Sequence, residues 1–93
     1  MLQVLAGSVQ DVVFALKLEL RPAAMGVASR LRAQGRSVNL VLEERRLKWA
    51  LKHADRCGAE RLLLLAPKEW ERGLVKVRDL ASGAESEVAP DAL

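Results

Sequence analysis

RLLLLA, from Arg61 to Ala66, is a near-continuous apolar run closed by Pro67. A strand of that composition is buried on both faces, as the inner strands of parallel sheets are. Parallel neighbours cannot be joined by tight turns and need crossover connections, usually helices, so helical segments are expected upstream. One lies immediately before it, from Glu44 to Gly58 (ERRLKWALKHADRCG): Leu47, Ala50, Leu51 and Ala54 follow the i, i+3, i+4, i+7 spacing of an apolar helix face, and Gly58 supplies the stop.

Working further back, Ser37–Leu42 (SVNLVL) reads as a strand in which Val38, Leu40 and Leu42 alternate with Ser37, Asn39 and Val41. Arg21–Gly35 (RPAAMGVASRLRAQG) reads as a helix, with Pro22 in its first turn and Gly35 at its end. Asp11–Leu18 (DVVFALKL) is rich in β-branched residues and predicts a buried strand. Downstream, Pro67–Arg72 (PKEWER) predicts a turn of helix. Gly73 then separates it from an alternating strand, Leu74–Leu80, and Ser82-Gly83 turns the chain into a last strand, Ala84–Ala89, as a hairpin. The order β-α-β-α-β, short helix, hairpin predicts one α/β domain of two or three layers on a mixed sheet. It spans residues 11–89. Residues 1–10 read as a linker or an edge strand, and Pro90–Leu93 as a frayed tail.

Charge is distributed unevenly. Of 15 basic and 12 acidic residues, Glu44–Arg61 holds six and three, leaving nine of each elsewhere, so the whole +3 of the chain sits in this segment. Such a patch points to a polyanion, nucleic acid first. Arg45, Lys48, Lys52 and Arg56 run beside the apolar stripe, and Lys48 and Lys52, one turn apart, repel one another unless an anion lies between them. Trp49 borders this stripe and is placed either to stack on an unpaired base or to pack on the sheet edge. Trp70 reads as a cap over the core.

Enzyme signatures are missing. His53 is the single histidine and Cys57, four residues on, the single cysteine, without a nucleophile–base arrangement drawn from separate elements. There is no GxxxxGK[ST] loop and no GxGxxG after the first strand, and no Cys/His cluster for zinc. No cofactor is expected. One unpaired cysteine fits a reducing compartment, cytoplasmic or the stroma or matrix of an organelle. No apolar run reaches the ~20 residues of a membrane span.

Three segments in succession, DVVFAL, then ASRLRAQGRSVNLVLE, then LKWALKHADRCGAERLLLLAPKEWERGLVKVRDLASGAESEV, resemble the C-terminal anticodon-binding domain of histidyl-tRNA synthetases, especially the cyanobacterial and plastid forms. The likeness covers residues 11–89. Its most specific parts are the helix LKWALKHADRCGA, the corner Ala66–Trp70 (APKEW) in the place of a Gly-Glu-x-Glu-like turn, and the strand VKVRDLASGAE. The resemblance implies a mixed five-stranded sheet flanked by about three helices. It also implies a domain that holds the anticodon arm of a histidine tRNA for a class II catalytic domain, in a parent that forms a homodimer. Carried onto matching positions, it places Arg45, Arg46, Lys48 and Lys52 on phosphates and Glu69 and Arg78 near the anticodon bases. Glu69 then either accepts hydrogen bonds from a guanine edge or caps the short helix.

Two departures from the family bear on this. Ala66-Pro67 replaces the usual glycine and stiffens the corner where a base approaches. The class II catalytic motifs and histidine-binding segments are missing, so this chain is not expected to be an enzyme by itself. The alternative is a free-standing synthetase-derived domain serving protein interaction, dimerisation or regulation. That role would require an exposed apolar patch at Val38–Leu42 or Leu62–Leu65.

Overall fold

A computed structural model describes residues 9–93, so residues 1–8, most of the expected linker or edge strand, lie outside the described residues. The elements are β1 (Asp11–Ala15), a 3-10 turn (Leu18–Leu20), α1 (Arg21–Ala33), β2 (Val38–Val41), α2 (Leu47–Arg56), β3 (Arg61–Leu65), α3 (Pro67–Glu71), β4 (Val75–Asp79), β5 (Glu85–Val88) and a final 3-10 turn (Pro90–Ala92). The five strands form one sheet in the order β2-β1-β3-β4-β5. β1 is parallel to both β2 and β3, while β3-β4 and β4-β5 are antiparallel. This is the mixed five-stranded sheet with three helices that the sequence predicts.

Alternation along the inner strands divides the core. Val13, Ala15, Leu63 and Leu65 pack with Ala24, Val27, Ala28 and Leu31 of α1, whereas Val12, Phe14, Leu62 and Leu64 pack with Ala50 and Ala54 of α2. The two crossover helices therefore lie on opposite faces, which makes three layers and explains why β1 and β3 are apolar at nearly every position. Phe14 and Leu63 are fully buried, each worth about 1.5–3 kcal/mol of transfer free energy.

Several boundaries differ from expectation for identifiable reasons. β1 ends at Ala15, not Leu18, because the chain must leave the sheet to enter α1; Leu16 N–H donates the last bond, to Leu65 O at 2.9 Å, and the 3-10 turn follows. α2 begins at Leu47, not Glu44: no side chain caps its first turn, and Arg46 is still extended (φ −80°, ψ 154°) as the chain crosses from the sheet edge. In β2 the most deeply buried residue is Val41, on the α2 side, while Val38 and Leu40 pack on the α1 side, so this edge strand is apolar on both faces. The tail expected to fray is a turn held on α1, where Arg30 Nη2 donates to Asp91 O at 3.0 Å and Gln34 Nε2 to Leu93 O at 2.8 Å. α1 ends as predicted, with Gly35 at φ 87°.

α2 covers only the β2-β1-β3 part of its face. The register pairs Leu62 with Arg78 and Leu64 with Lys76, then Arg78 with Glu85 and Lys76 with Glu87, so the β4-β5 part of the same face is charged and open. On the opposite face Val75, Val77 and Val88 continue the core beneath Trp70 and Leu93. Trp70 thus covers the core as the sequence suggests.

Candidate nucleic-acid interface

Two surfaces meet along α2. The first is the outward side of its N-terminal half, a broad open concavity lined by Arg45, Arg46, Lys48, Trp49 and Lys52, with Glu44 as its one acid. Five of the seven residues singled out from sequence are thereby brought together. Arg46, Lys48, Lys52 and Arg56 take part in no ion pair among the described residues. Arg45 is shared: its Nη2 donates to Glu43 Oε2 at 2.9 Å, and its guanidinium lies 4.8 Å from the centroid of the Trp49 ring. Arg61, counted in the basic segment, does not contribute, because its guanidinium is directed to Asp11.

The second surface is the cleft between α2 and the uncovered strands. Leu47, Leu51, Leu62 and Leu64 form its apolar floor, and Lys76, Arg78 and Glu85 its charged rim. Leu47 is 40% exposed, so the apolar face of α2 is left partly open where it overlooks β4. The cations here are paired: Arg78 Nη1 donates to Glu85 Oε2 at 2.9 Å, and Lys76 Nζ stands 4.0 Å from Glu69 Oε2. Glu69 extends from α3 with its side chain only 16% exposed. No side chain caps α3, and Glu69 meets the cleft through its contact with Lys76.

The two surfaces suit different parts of an RNA. Unpaired ammonium and guanidinium groups on a helix attract phosphates and release counterions. A rim that alternates donors with acceptors above an apolar floor suits base edges and base faces, and single-stranded loops present both. Lys76 is the residue that reading the sequence missed; its placement opposite Leu64, on the face of Arg78, follows from the period-two alternation of β4.

Trp49 is half-buried and lines the basic concavity as well as the core. Its ring is stacked with His53 at 4.7 Å and 8°, carries Arg45, and packs against the α2-side core. His53 is bound in turn through Nε2 to Asn39 Oδ1 at 2.8 Å, with Cys57 Sγ at 3.6 Å. His53 and Cys57 are thus half-buried members of the α2 seam. Among the described residues there is no group of three or more His, Cys, Asp or Glu positioned for a metal, and no helix long and apolar enough to cross a membrane.

Comparison with known proteins agrees with this fold. The family described as the anticodon binding domain matches residues 10–93. The chloroplastic/mitochondrial histidine–tRNA ligase of Arabidopsis thaliana is 45% identical over 84 residues, which is 90% of this chain and 17% of that protein. The histidine–tRNA ligase of Pyrococcus furiosus is 35% identical over 72 residues, 77% of this chain and 17% of that one. The chain thus spans about a sixth of the length of these relatives. The crystal structure of histidyl-tRNA synthetase from Nostoc sp. PCC 7120 superposes with a TM-score of 0.86 at 30% identity, over 91% of this chain and 20% of that one. The RNA binding domain of threonyl-tRNA synthetase from Cryptosporidium parvum shares the fold, with a TM-score of 0.82 at 14% identity over 89% of this chain and 21% of that one. On the family match and these identities, the chain belongs to the anticodon binding domain family, in the form carried by histidine–tRNA ligases.

Proposed function

We propose that this domain grips the anticodon arm of a histidine tRNA, with phosphates along the outward side of α2 and loop bases at the cleft between α2 and β4-β5. Arg46, Lys48 and Lys52 supply the phosphate contacts together with Arg45, while Glu69 and Arg78, joined by Lys76, face the anticodon bases. The domain is non-catalytic and acts for the class II catalytic domain of a parent ligase, in the cytoplasm or an organelle, within a homodimer of that parent.

The observation that carries this reading is the contrast along one helix. Arg46, Lys48 and Lys52, without ion-pair partners among the described residues, line the outward side of α2 beside Arg45, which pairs with Glu43, and paired charges rim the apolar cleft on its flank. In a member of this family, that contrast separates a sequence-independent grip from a base-reading surface.

The alternative, a domain kept for protein interaction, has less support. Leu62–Leu65 are buried within the chain itself, and in Val38–Leu42 Val41 is only 5% exposed while Val38, Leu40 and Leu42 are partly buried against the core, so neither stretch presents a fully exposed apolar patch. Titrating the purified chain with histidine tRNA and with an unrelated tRNA, at about 50 and 200 mM salt, tests the proposal. A preference for histidine tRNA with a steep salt slope is expected; equal affinity for both would remove base reading, and no binding at either salt would remove the RNA.

A further inference from the structure

We infer that Asn39, on the edge strand β2, is a positioning residue for RNA binding: through His53 and Trp49 it holds the guanidinium of Arg45 ready for a phosphate. The inference rests on the RNA reading above and adds a residue outside both surfaces.

The column is continuous. Asn39 Oδ1 lies 2.8 Å from His53 Nε2, the imidazole is stacked on Trp49 at 4.7 Å and 8°, and Arg45 lies 4.8 Å from the centroid of that same indole. Arg45, Trp49 and His53 are four residues apart, the spacing that aligns side chains on one helix face. Yet Arg45 precedes the first residue of α2, Leu47, and no helix hydrogen bond fixes its backbone. Its guanidinium is placed by side-chain contacts alone. One is the surface ion pair with Glu43, whose partners are 45% and 65% exposed, and a polyanion competes with such a pair directly. The other is the indole face, which an anion does not displace, because cation–π attraction leaves the guanidinium edge free to donate.

The hydrogen bond to Asn39 is the part of the column that comes from outside α2. An imidazole turns freely about its last side-chain bond, and a bond to Nε2 from the neighbouring strand fixes the ring plane that Trp49 then shares. Ordering a long side chain on binding reduces affinity, and an arginine already ordered in the free protein avoids that loss. Removing the brace should therefore weaken RNA binding about two- to tenfold, the equivalent of immobilising one flexible side chain.

The test combines Asn39→Leu with Arg45→Ala and, as a control, with Lys52→Ala, titrated with a histidine tRNA transcript, and follows the Arg45 Nε–Hε signal by NMR in the free protein. Expected are a two- to tenfold loss for N39L, no further loss when N39L is added to R45A, and independent losses when it is added to K52A. The Arg45 signal, shifted by the indole ring in the parent, should move toward that of an exposed arginine while the Ala50 and Ala54 amides stay in place. Should N39L not fold, His53→Phe keeps a stacked ring, removes the bond to Asn39, and should give the same pattern. Equal losses in the R45A and parent backgrounds, or an unmoved Arg45 signal, overturn the inference. If such a result came together with loss of binding in a Lys48→Glu, Lys52→Glu variant, the RNA reading would stand and the brace alone would fall.

Discussion

Arg61 and Asp11 meet across the central strand pair: Arg61 Nε donates to Asp11 Oδ1 at 2.8 Å and Nη2 to Oδ2 at 3.1 Å, and the aspartate has no solvent exposure. Arg36, from the link between α1 and β2, completes the cluster with a bond from Nη2 to Asp11 Oδ1 at 3.0 Å. One carboxylate thereby ties the starts of all three parallel strands. The same bonds remove Arg61 from the basic surface.

Asp11→Asn should lower stability by about 2–3 kcal/mol in guanidinium unfolding, with little change in m value. Breaking a buried pair costs about 3–5 kcal/mol. The lower figure applies because both arginine side chains are 26% exposed and partly rehydrate. A loss below about 0.5 kcal/mol would mean that the cluster does not hold the strands together.

Acid should erase that difference. Burial alone would push the Asp11 carboxyl up, but the hydrogen bonds from Arg61 and Arg36 and their charges outweigh it and hold it below its ordinary value. A carboxylate with a depressed folded pKa stabilises fully above its unfolded value, near 3.9, and loses that contribution as pH falls through the folded value. Unfolding free energies of the parent and D11N should therefore differ at pH 7 and converge below about pH 4. Asp79 titrates in the same direction, held down first by the Ser82 backbone N–H in the hairpin turn, so Asp79→Asn should also flatten the acid limb. Parallel curves down to pH 2 would show that Asp11 is not the titrating group.

Periodicity and punctuation made the fold legible. The apolar run at Arg61–Leu65, the helix spacing of Ala50 and Ala54 and the stops at Gly35 and Gly58 each rest on neighbours within one element, and each matches an element of the structure. The basic surface was legible in its helix-borne members for the same reason. What sequence could not supply was long-range pairing. Asp11 and Arg61 are 50 residues apart and Asn39 and His53 are 14, so neither the neutralising of one cation nor the bracing of Trp49 is visible from local spacing. Lys76 was missed because its meaning depends on α2 stopping short of β4, which is a matter of layer geometry.

Lys48→Glu with Lys52→Glu should weaken histidine tRNA and unrelated tRNA alike and lower the salt slope by about two, near 0.9 for each phosphate no longer neutralised. Both residues are exposed and without ion-pair partners among the described residues, so thermal stability should change little: the repulsion between two lysines gives way to that between two glutamates, which now lie beside Arg45 and Arg46. Unchanged tRNA affinity would remove α2 from the interface.

Glu69→Gln should behave in the opposite way, losing discrimination without losing grip. The carboxylate is mostly enclosed and stands 4.0 Å from the Nζ of Lys76, a residue of the cleft rim. Such a group accepts from the amino and imino edges of guanine or the amino group of cytosine, and an amide that offers a donor in its place forfeits about 1–3 kcal/mol against a correct base. The variant should bind histidine tRNA roughly ten- to a hundredfold more weakly and unrelated tRNA as before, on an unchanged salt slope, since every phosphate-binding cation is retained. Stability should move by less than about 1 kcal/mol, because the pair with Lys76 is long and a third exposed on the lysine side. Arg78→Gln offers the complementary measurement: it frees Glu85, to which Arg78 donates at 2.9 Å, and leaves an unpaired carboxylate on the rim. Its effect should therefore include a general weakening from repulsion in addition to reduced discrimination. If E69Q weakened both tRNAs equally, Glu69 would be supporting the cleft structurally and base reading would have to come from the other residues of the rim.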